Sequence, residues 1–123
     1  MNKPFLLDTN ILIYFFEGYR VAGSLIETIQ CNVSLVTYIE LLSNPYTNEK
    51  KRGLIIDFLL GTTVIQTNPT ICEYAANIRL NYNLKTPDAI IAATAKYSDF
   101  PLITADKKLF QIKEIEIIKF LKK

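Results

Sequence analysis

The chain has 123 residues, half of them hydrophobic, and its fourteen basic and twelve acidic side chains leave a formal net charge of +2. This length is typical of one domain with its own core, so we predict a single domain over residues 1–123. The charge excess is too small to indicate nucleic-acid binding by itself. No apolar stretch reaches the roughly 18 residues of a membrane span and no secretory leader pattern is present, so we expect a soluble, cytoplasmic protein.

The sequence has no histidine and only two cysteines, Cys31 and Cys72, which are far apart. The lack of histidine excludes imidazole metal ligands, imidazole acid–base catalysis and Ser-His or Cys-His dyads. The cysteines lack Cys-x-x-Cys spacing, and we interpret them as half-buried thiols rather than as a disulfide or a zinc site. Carboxylates remain as the candidate catalytic groups.

The first predicted strand, Phe5-Leu6-Leu7, is an uninterrupted apolar run of the kind found in strands buried on both faces, and it ends at Asp8. A helix is predicted from Asn10 to Phe16, ended by Gly18, and a shorter helix over residues 23–30. The first helix is more apolar than one core-facing stripe requires. Packing on two sides within a small domain and binding to a partner protein both account for this excess, which consists of Ile11, Leu12, Phe15 and Phe16.

The second predicted strand covers residues 31–36, and Thr37 is predicted to begin the helix that follows. The run Thr37-Tyr38-Ile39-Glu40 matches a capping box, in which Glu40 bonds back to the Thr37 amide. Metal ligation is the second interpretation of Glu40. Its position just after a strand, like that of Asp8, favours the ligand.

The remaining predicted elements continue to alternate between helix and strand. Asn68 followed by Pro69 is typical of a helix start, and Thr86 followed by Pro87 repeats that pattern. In chain order, these elements are a helix over 48–60, a strand over 63–66, a helix over 68–80, a helix that Thr86 opens, a strand over 101–104, a short turn capped by Asp106, an edge strand over 115–118 and a frayed basic tail over 119–123.

Asp88 lies in the first turn of the helix that Thr86 opens, where an acid commonly interacts with the helix dipole. The residues that follow allow this helix to pack closely on the sheet or on a second subunit, because several are alanines: Ala89, Ala92, Ala93 and Ala95. Such packing places Asp88 near the carboxyl ends of the strands. Metal ligation is therefore a second interpretation of Asp88, as it is of Glu40.

Four acids therefore follow strands or open helices at one edge of the predicted sheet: Asp8, Glu40, Asp88 and Asp106. Right-handed crossovers between parallel strands place the carboxyl ends of those strands together, so these acids are predicted to meet. Clustered carboxylates repel one another unless they share a cation, and all-oxygen ligation favours Mg²⁺ or Mn²⁺. A pair of such ions about 4 Å apart activates water for in-line attack at phosphorus, which indicates a phosphodiester substrate.

Other polar residues are candidates for supporting roles around the four acids. Asn10 and Thr104 are candidates to orient ligands or bound water, although Thr104 also fits an ordinary strand-end residue. Arg79, Lys85 and Lys107 are candidate contacts to substrate phosphates, and each also fits solvated surface charge.

Several segments together resemble a PIN domain and, more narrowly, the VapC-like ribonuclease toxins of bacterial and archaeal toxin-antitoxin pairs. These segments are Asp8-Thr9-Asn10, Glu40, Pro87-Asp88-Ala89-Ile90-Ile91-Ala92-Ala93-Thr94-Ala95 and Leu102-Ile103-Thr104-Ala105-Asp106. The resemblance spans nearly the whole chain, and it assigns the family's four acids to Asp8, Glu40, Asp88 and Asp106.

The resemblance implies a three-layer α/β/α sandwich around a central, mainly parallel sheet of four or five strands. It also implies RNA cleavage that depends on Mg²⁺ or Mn²⁺, a homodimer, and an antitoxin whose C-terminal segment fills a groove near the active site. On this interpretation the apolar excess over residues 11–16 binds the antitoxin. Similar small PIN proteins act outside toxin-antitoxin pairs, so ribonuclease is the broader prediction and toxin the narrower one.

Single residues disfavour two other fold families, whereas two alternatives within the PIN family stay open. A phosphoacceptor receiver domain needs adjacent acids after the first strand and an acceptor Asp after the third, where this chain has Thr9 and Gln66-Thr67. A haloacid-dehalogenase-type phosphatase needs Asp-x-Asp, and position 10 is Asn10. A stand-alone PIN nuclease and a non-catalytic PIN-like interaction module, whose acids only cap helices, fit the sequence as well.

Overall fold

The computed structural model describes residues 3–45 and 47–121. In these residues five parallel strands form one sheet, and six α-helices surround it. The strands are β1 (Pro4–Leu7), β2 (Gln30–Ser34), β3 (Thr63–Ile65), β4 (Leu102–Thr104) and β5 (Ile117–Lys119). The helices are α1 (Thr9–Phe16), α2 (Arg20–Thr28), α3 (Leu35–Leu42), α4 (Glu49–Leu60), α5 (Pro69–Tyr82) and α6 (Thr86–Ser98), and a 3-10 turn covers Lys107–Leu109.

Successive residues of the central strands pack into two separate hydrophobic cores, because neighbouring side chains of a strand point to opposite faces. Leu6 and Leu102 pack with α5 and α6, whereas Leu7 and Ile103 pack with α1 to α4. All four side chains are at most 1% exposed. Burying each of them stabilises the fold by about 1.5–3 kcal/mol. The predicted three-layer α/β/α sandwich is confirmed.

The strand order β3-β2-β1-β4-β5 places β1 at the centre of the sheet. From β1 the chain builds outwards through β2 to β3, and then crosses to β4 and β5 on the other side of β1. Leu6 pairs with Leu102 and Leu7 pairs with Ile103, so β1 and β4 end side by side. Ligands of open parallel sheets bind at the carboxyl ends of the strands where the order reverses, and here that place is between β1 and β4.

The start of α3 differs from the prediction. β2 ends at Ser34, and α3 begins at Leu35 rather than at Thr37. The N-cap is Ser34, whose Oγ accepts a hydrogen bond of 3.2 Å from the Thr37 amide. The capping-box interpretation of Thr37 and Glu40, which the sequence favoured less than metal ligation, is wrong, because the Thr37 amide already has a different acceptor.

The start of α6 and the end of the chain also differ from the prediction. The N-cap of α6 is Lys85, which makes no side-chain capping bond, and Thr86 is already helical. The predicted frayed tail is wrong for Lys119, which pairs with Thr104 in the sheet, and for Phe120, which is 8% exposed and donates its amide to the Thr104 carbonyl. The end of that tail, residues 122–123, lies outside the described residues.

The apolar excess of α1 is largely accounted for by packing within the chain. Ile11 and Leu12 are fully buried. Phe15 and Phe16 are half-buried and contact each other and Phe58 of α4, with ring centroids 5.0–5.6 Å apart. Ile11 and Leu12 are thus unavailable to an antitoxin and drop out of the predicted binding surface. Binding of an antitoxin by the half-buried residues 13–16 stays a prediction.

Neither cysteine forms a disulfide. Cys31 is half-buried as predicted, whereas Cys72 is exposed. In the described part of the chain, the helices are too short or too polar to cross a membrane.

Candidate metal centre

Asp8 is enclosed at the point where β1 gives way to α1. It is the N-cap of α1, and it is only 6% exposed. Its Oδ1 accepts a 2.8 Å hydrogen bond from the Thr9 amide, and its Oδ2 accepts one of 2.5 Å from the Thr104 hydroxyl. Both carboxylate oxygens are therefore held by neighbouring groups, one from α1 and one from the end of β4.

Thr104 joins two of the predicted site acids. Its hydroxyl donates to Asp8 and accepts a 3.0 Å hydrogen bond from the amide of Asp106. Asp106 in turn caps the 3-10 turn, with its Oδ1 accepting from the Lys108 amide at 2.9 Å. The structure places the fully buried Thr104 against the acids, as the predicted supporting role requires.

Glu40 reaches the same region from α3. Its side chain is exposed, and its Oε1 accepts a 2.6 Å hydrogen bond from the Thr9 hydroxyl. Thr9 thus contacts two acids, Asp8 through its amide and Glu40 through its hydroxyl. Thr9 was not among the predicted site residues, although its position directly after Asp8 at a strand end was a usable signal.

Two of the acids, Asp8 and Asp88, have a raised pKa, for which burial is the main cause and the charges of neighbouring acids a further one. Burial is the main cause that raises the pKa of Asp8 from 3.8 to about 6. The hydrogen bonds from Thr104 and Thr9 lower this pKa, and the charges of Asp88 and Asp106 raise it further. Burial also raises the pKa of Asp88, with further increases from the charges of Asp106 and Glu40.

One of the predicted phosphate contacts, Lys85, acts on an acid of the site through its charge. The charges of Lys108 and Lys85 lower the pKa of Asp88 against the effect of its burial. Lys107 and Arg79 are exposed, and Arg79 lies in the last turn of α5. Lys108 was not among the predicted contacts, because a single sequence does not show which of the adjacent Lys107 and Lys108 acts on Asp88.

Asn10 lies in the first turn of α1, two residues after Asp8. Its Oδ1 atom is buried and has no hydrogen-bond partner in the structure. A buried carbonyl oxygen without a donor is costly, typically by about 1–3 kcal/mol. This atom is consistent with the predicted role of Asn10 in orienting a ligand or water.

The chain matches a known family over most of its length. A family model of the PIN domain matches residues 5–115. The chain belongs to the PIN domain family. No curated protein gives a significant match to this PIN domain.

Solved structures similar to this PIN domain include several toxin-antitoxin assemblies. A chain of a toxin-antitoxin complex from Klebsiella pneumoniae is 32% identical, with 94% of this chain and 96% of that chain covered and a TM-score of 0.83. A chain of VapBC2 from Rickettsia felis, bound to a promoter DNA fragment, is 18% identical with 95% and 98% covered and a TM-score of 0.82. A chain of VapBC-1 from nontypeable Haemophilus influenzae is 23% identical with 94% and 97% covered and a TM-score of 0.77. The last two identities support the fold alone.

The donor set of this PIN domain suits a hard divalent cation. Carboxylate oxygens and the free Asn10 oxygen are the ligand types that Mg²⁺ and Mn²⁺ prefer. Over residues 3–45 and 47–121, however, no three acidic or cysteine side chains are arranged closely enough to hold one ion. An ion held by three of the four acids therefore requires a carboxylate to rotate inwards. Glu40 is exposed and Asp88 and Asp106 are half-buried, whereas Asp8 is fixed on both oxygens.

Proposed function

We propose that this PIN domain is a ribonuclease that hydrolyses RNA phosphodiester bonds with Mg²⁺ or Mn²⁺. PIN domains are generally nucleases that use divalent metals. The observation that best supports the proposal is the enclosed Asp8, whose pKa is raised by burial and by the charges of Asp88 and Asp106. A cation shared by these groups offsets both effects.

The proposed mechanism assigns the ion to Asp8, Glu40, Asp88 and Asp106. When bound, the ion would supply the Lewis acid that activates water for attack at phosphorus. Asp8 is oriented for this task by the Thr9 amide and the Thr104 hydroxyl. Lys85 and Lys108, whose charges already act on Asp88, would attract the phosphates that flank the cleaved bond.

The direct test is cleavage of RNA oligonucleotides by the purified protein with Mg²⁺, with EDTA, and after Mg²⁺ is restored. The double variant Asp88→Asn/Asp106→Asn should be inactive, and Asp57→Asn, which changes an exposed acid of α4, should cut like wild type. Circular dichroism checks that each variant is folded. Cleavage that persists in EDTA, or in the double variant, would contradict the proposal.

A non-catalytic interaction module is the alternative that one observation favours. Asp8 and Asp106 both accept main-chain hydrogen bonds as N-caps, so capping is an established use of each. Asn caps helices about as well as Asp, so an Asp→Asn exchange preserves capping while it removes the charge. A pure capping role therefore predicts that the asparagine variants keep whatever activity the protein has.

Binding of the substrate phosphates is expected to depend on Lys108, whose charge acts on Asp88. Lys108→Ala should weaken binding of RNA several-fold and reduce the slope of log K against log salt by about 1, because one phosphate contact is lost. Binding is measured by fluorescence anisotropy in EDTA with labelled RNA, and Lys50→Ala in α4 is the control. Equal effects of Lys108→Ala and Lys50→Ala would indicate a general charge effect instead.

We also propose that the ribonuclease is the toxin of a toxin-antitoxin pair. The similarity to a chain of a toxin-antitoxin complex from Klebsiella pneumoniae, at 32% identity over most of both chains, supports this proposal. Expression in a bacterial host should arrest growth, and co-expression of a small DNA-binding protein encoded directly upstream should restore it. Cleavage without such a neighbouring gene would favour the stand-alone nuclease. The homodimer remains a prediction, which light scattering of the purified protein would test.

A further inference from the structure

We propose that Ser34, Thr37 and Thr9 form a chain of hydrogen bonds that fixes Glu40 beside Asp8, and that Thr37 is a positioning residue of the metal centre. The proposal rests on the proposed function, because Glu40 is one of the proposed ligands. It assigns a role to two buried hydroxyls, of Ser34 and Thr37, whose hydrogen-bond partners are other residues than the four acids.

The distances form a continuous path between hydroxyl groups. Ser34 Oγ lies 3.4 Å from Thr37 Oγ1, Thr37 Oγ1 lies 3.0 Å from Thr9 Oγ1, and Thr9 Oγ1 lies 2.6 Å from Glu40 Oε1. Ser34 and Thr37 are fully buried, and Thr9 is 8% exposed. Water is thus largely excluded as an alternative partner for these three hydroxyls.

The number of protons fixes the direction of the path. An ionised carboxylate only accepts, so the single hydroxyl proton of Thr9 goes to Glu40. Thr37 must then donate to Thr9, and Ser34 must donate to Thr37, since each hydroxyl has one proton. Ser34 Oγ also accepts a hydrogen bond from the Thr37 amide. The Ser34 hydroxyl therefore acts both as a donor and as an acceptor. The chain is consequently one-way and ends on Glu40.

This direction gives Thr37 its positioning role. By donating to Thr9 Oγ1, Thr37 holds the Thr9 side chain in the rotamer whose proton points to Glu40. The amide of the same Thr9 donates to Asp8. Thr9 therefore fixes the exposed Glu40 relative to the enclosed Asp8, and Thr37 fixes Thr9. Groups that orient metal ligands typically change metal affinity by about 10- to 100-fold when removed.

The test compares binding of Mn²⁺ alone, in the absence of RNA, to variants of position 37. Thr37→Val keeps the shape and the amide that bonds to Ser34 but removes the hydroxyl, whereas Thr37→Ser keeps the hydroxyl and removes a methyl group. Free Mn²⁺ is measured by electron paramagnetic resonance in a titration at pH 8. We expect the Kd of Thr37→Val to rise about tenfold, and that of Thr37→Ser to stay close to wild type.

A purely structural role predicts a different pattern. Both substitutions should then lower thermal stability while leaving the Mn²⁺ Kd of the folded protein unchanged. Thr94→Val is the matched control, because the Thr94 hydroxyl is also buried but bonds only to the Ile90 carbonyl in α6. If Thr37→Val does not fold, the pair Thr9→Val and Thr9→Ser provides the same comparison one step nearer to Glu40.

Three outcomes separate this inference from the proposed function. A Kd for Mn²⁺ that is tenfold higher in Thr37→Val and unchanged in Thr37→Ser supports the hydrogen-bond chain. Wild-type affinity in Thr37→Val overturns the chain but leaves the metal centre intact. Absence of Mn²⁺ binding in the wild type, or equal binding by Asp8→Asn, overturns the metal centre and this inference with it.

Discussion

Asp8→Asn is expected to reduce Mg²⁺-dependent RNA cleavage at least about a thousandfold, since the loss of one central ligand removes several kcal/mol of transition-state stabilisation. The same variant should make the metal-free protein more stable at pH 8, by about 1–2 kcal/mol. The reason is that the wild type must keep a buried carboxylate charged at that pH, while asparagine is neutral. Part of the gain is lost because asparagine accepts less well from Thr104.

Cleavage assays and urea unfolding in EDTA measure these two effects on the same preparations. Asp57→Asn is the control, since Asp57 is an exposed acid in α4. A variant that is inactive and also less stable would indicate that activity is lost because the fold is disturbed, and not because a metal ligand is removed. A variant that is active would contradict the catalytic assignment directly.

The metal-free wild type is expected to lose about 2.5 kcal/mol of stability, relative to Asp8→Asn, between pH 4 and pH 8. The pKa of Asp8 is raised to about 6 in the folded protein from 3.8 as its ordinary value. A raised pKa means that the folded state binds the proton more tightly than the unfolded state. The contribution of Asp8 is therefore fully present below about pH 4 and is lost as the pH rises through about 6.

Urea unfolding in EDTA at several pH values measures this difference, and comparison with Asp8→Asn removes the contributions of the other titrating groups. Mn²⁺ should reverse the loss at pH 8, adding about 2.7 kcal/mol at one hundred times its Kd. Its affinity should fall below pH 6 as protons compete for Asp8. A stability difference between the two proteins that is independent of pH would show that Asp8 keeps its ordinary pKa.

The fold and the positions of the acids follow from local sequence patterns. The apolar run before Asp8 indicates a buried strand, and the alternation of strands and helices requires a parallel sheet with its strand ends together. These two regularities suffice to bring Asp8 and Asp106 to the ends of neighbouring strands. They depend on burial and chain connectivity, which a single sequence records well.

The errors arose where two local signals compete. Ser34 and Thr37 both suit a helix cap, and the three-residue spacing from Thr37 to Glu40 fits a capping box. Pairing of Ser34 with Ile65 keeps residue 34 at the end of β2, so the helix begins directly after it. This non-local contact frees Thr37 and Glu40 from capping and places both beside Thr9.

Contacts between side chains of different elements also could not be predicted from the sequence. The apolar excess of α1 is satisfied in part by Phe58, which is more than forty residues away in the chain. Likewise, the bond from Thr104 to Asp8 joins residues 96 positions apart. Such contacts depend on the packing of whole elements, so a pattern within one segment does not report them.

We infer that acids from separate elements form one cation site at the junction of β1 and β4. X-ray diffraction from crystals soaked in Mn²⁺, recorded for anomalous scattering, tests it directly. We predict an anomalous peak about 2 Å from a carboxylate oxygen of Asp8 and from an oxygen of at least one other of the four acids. Crystals saturated with Mn²⁺ that show no peak at this junction, or a peak only elsewhere, would contradict the claim.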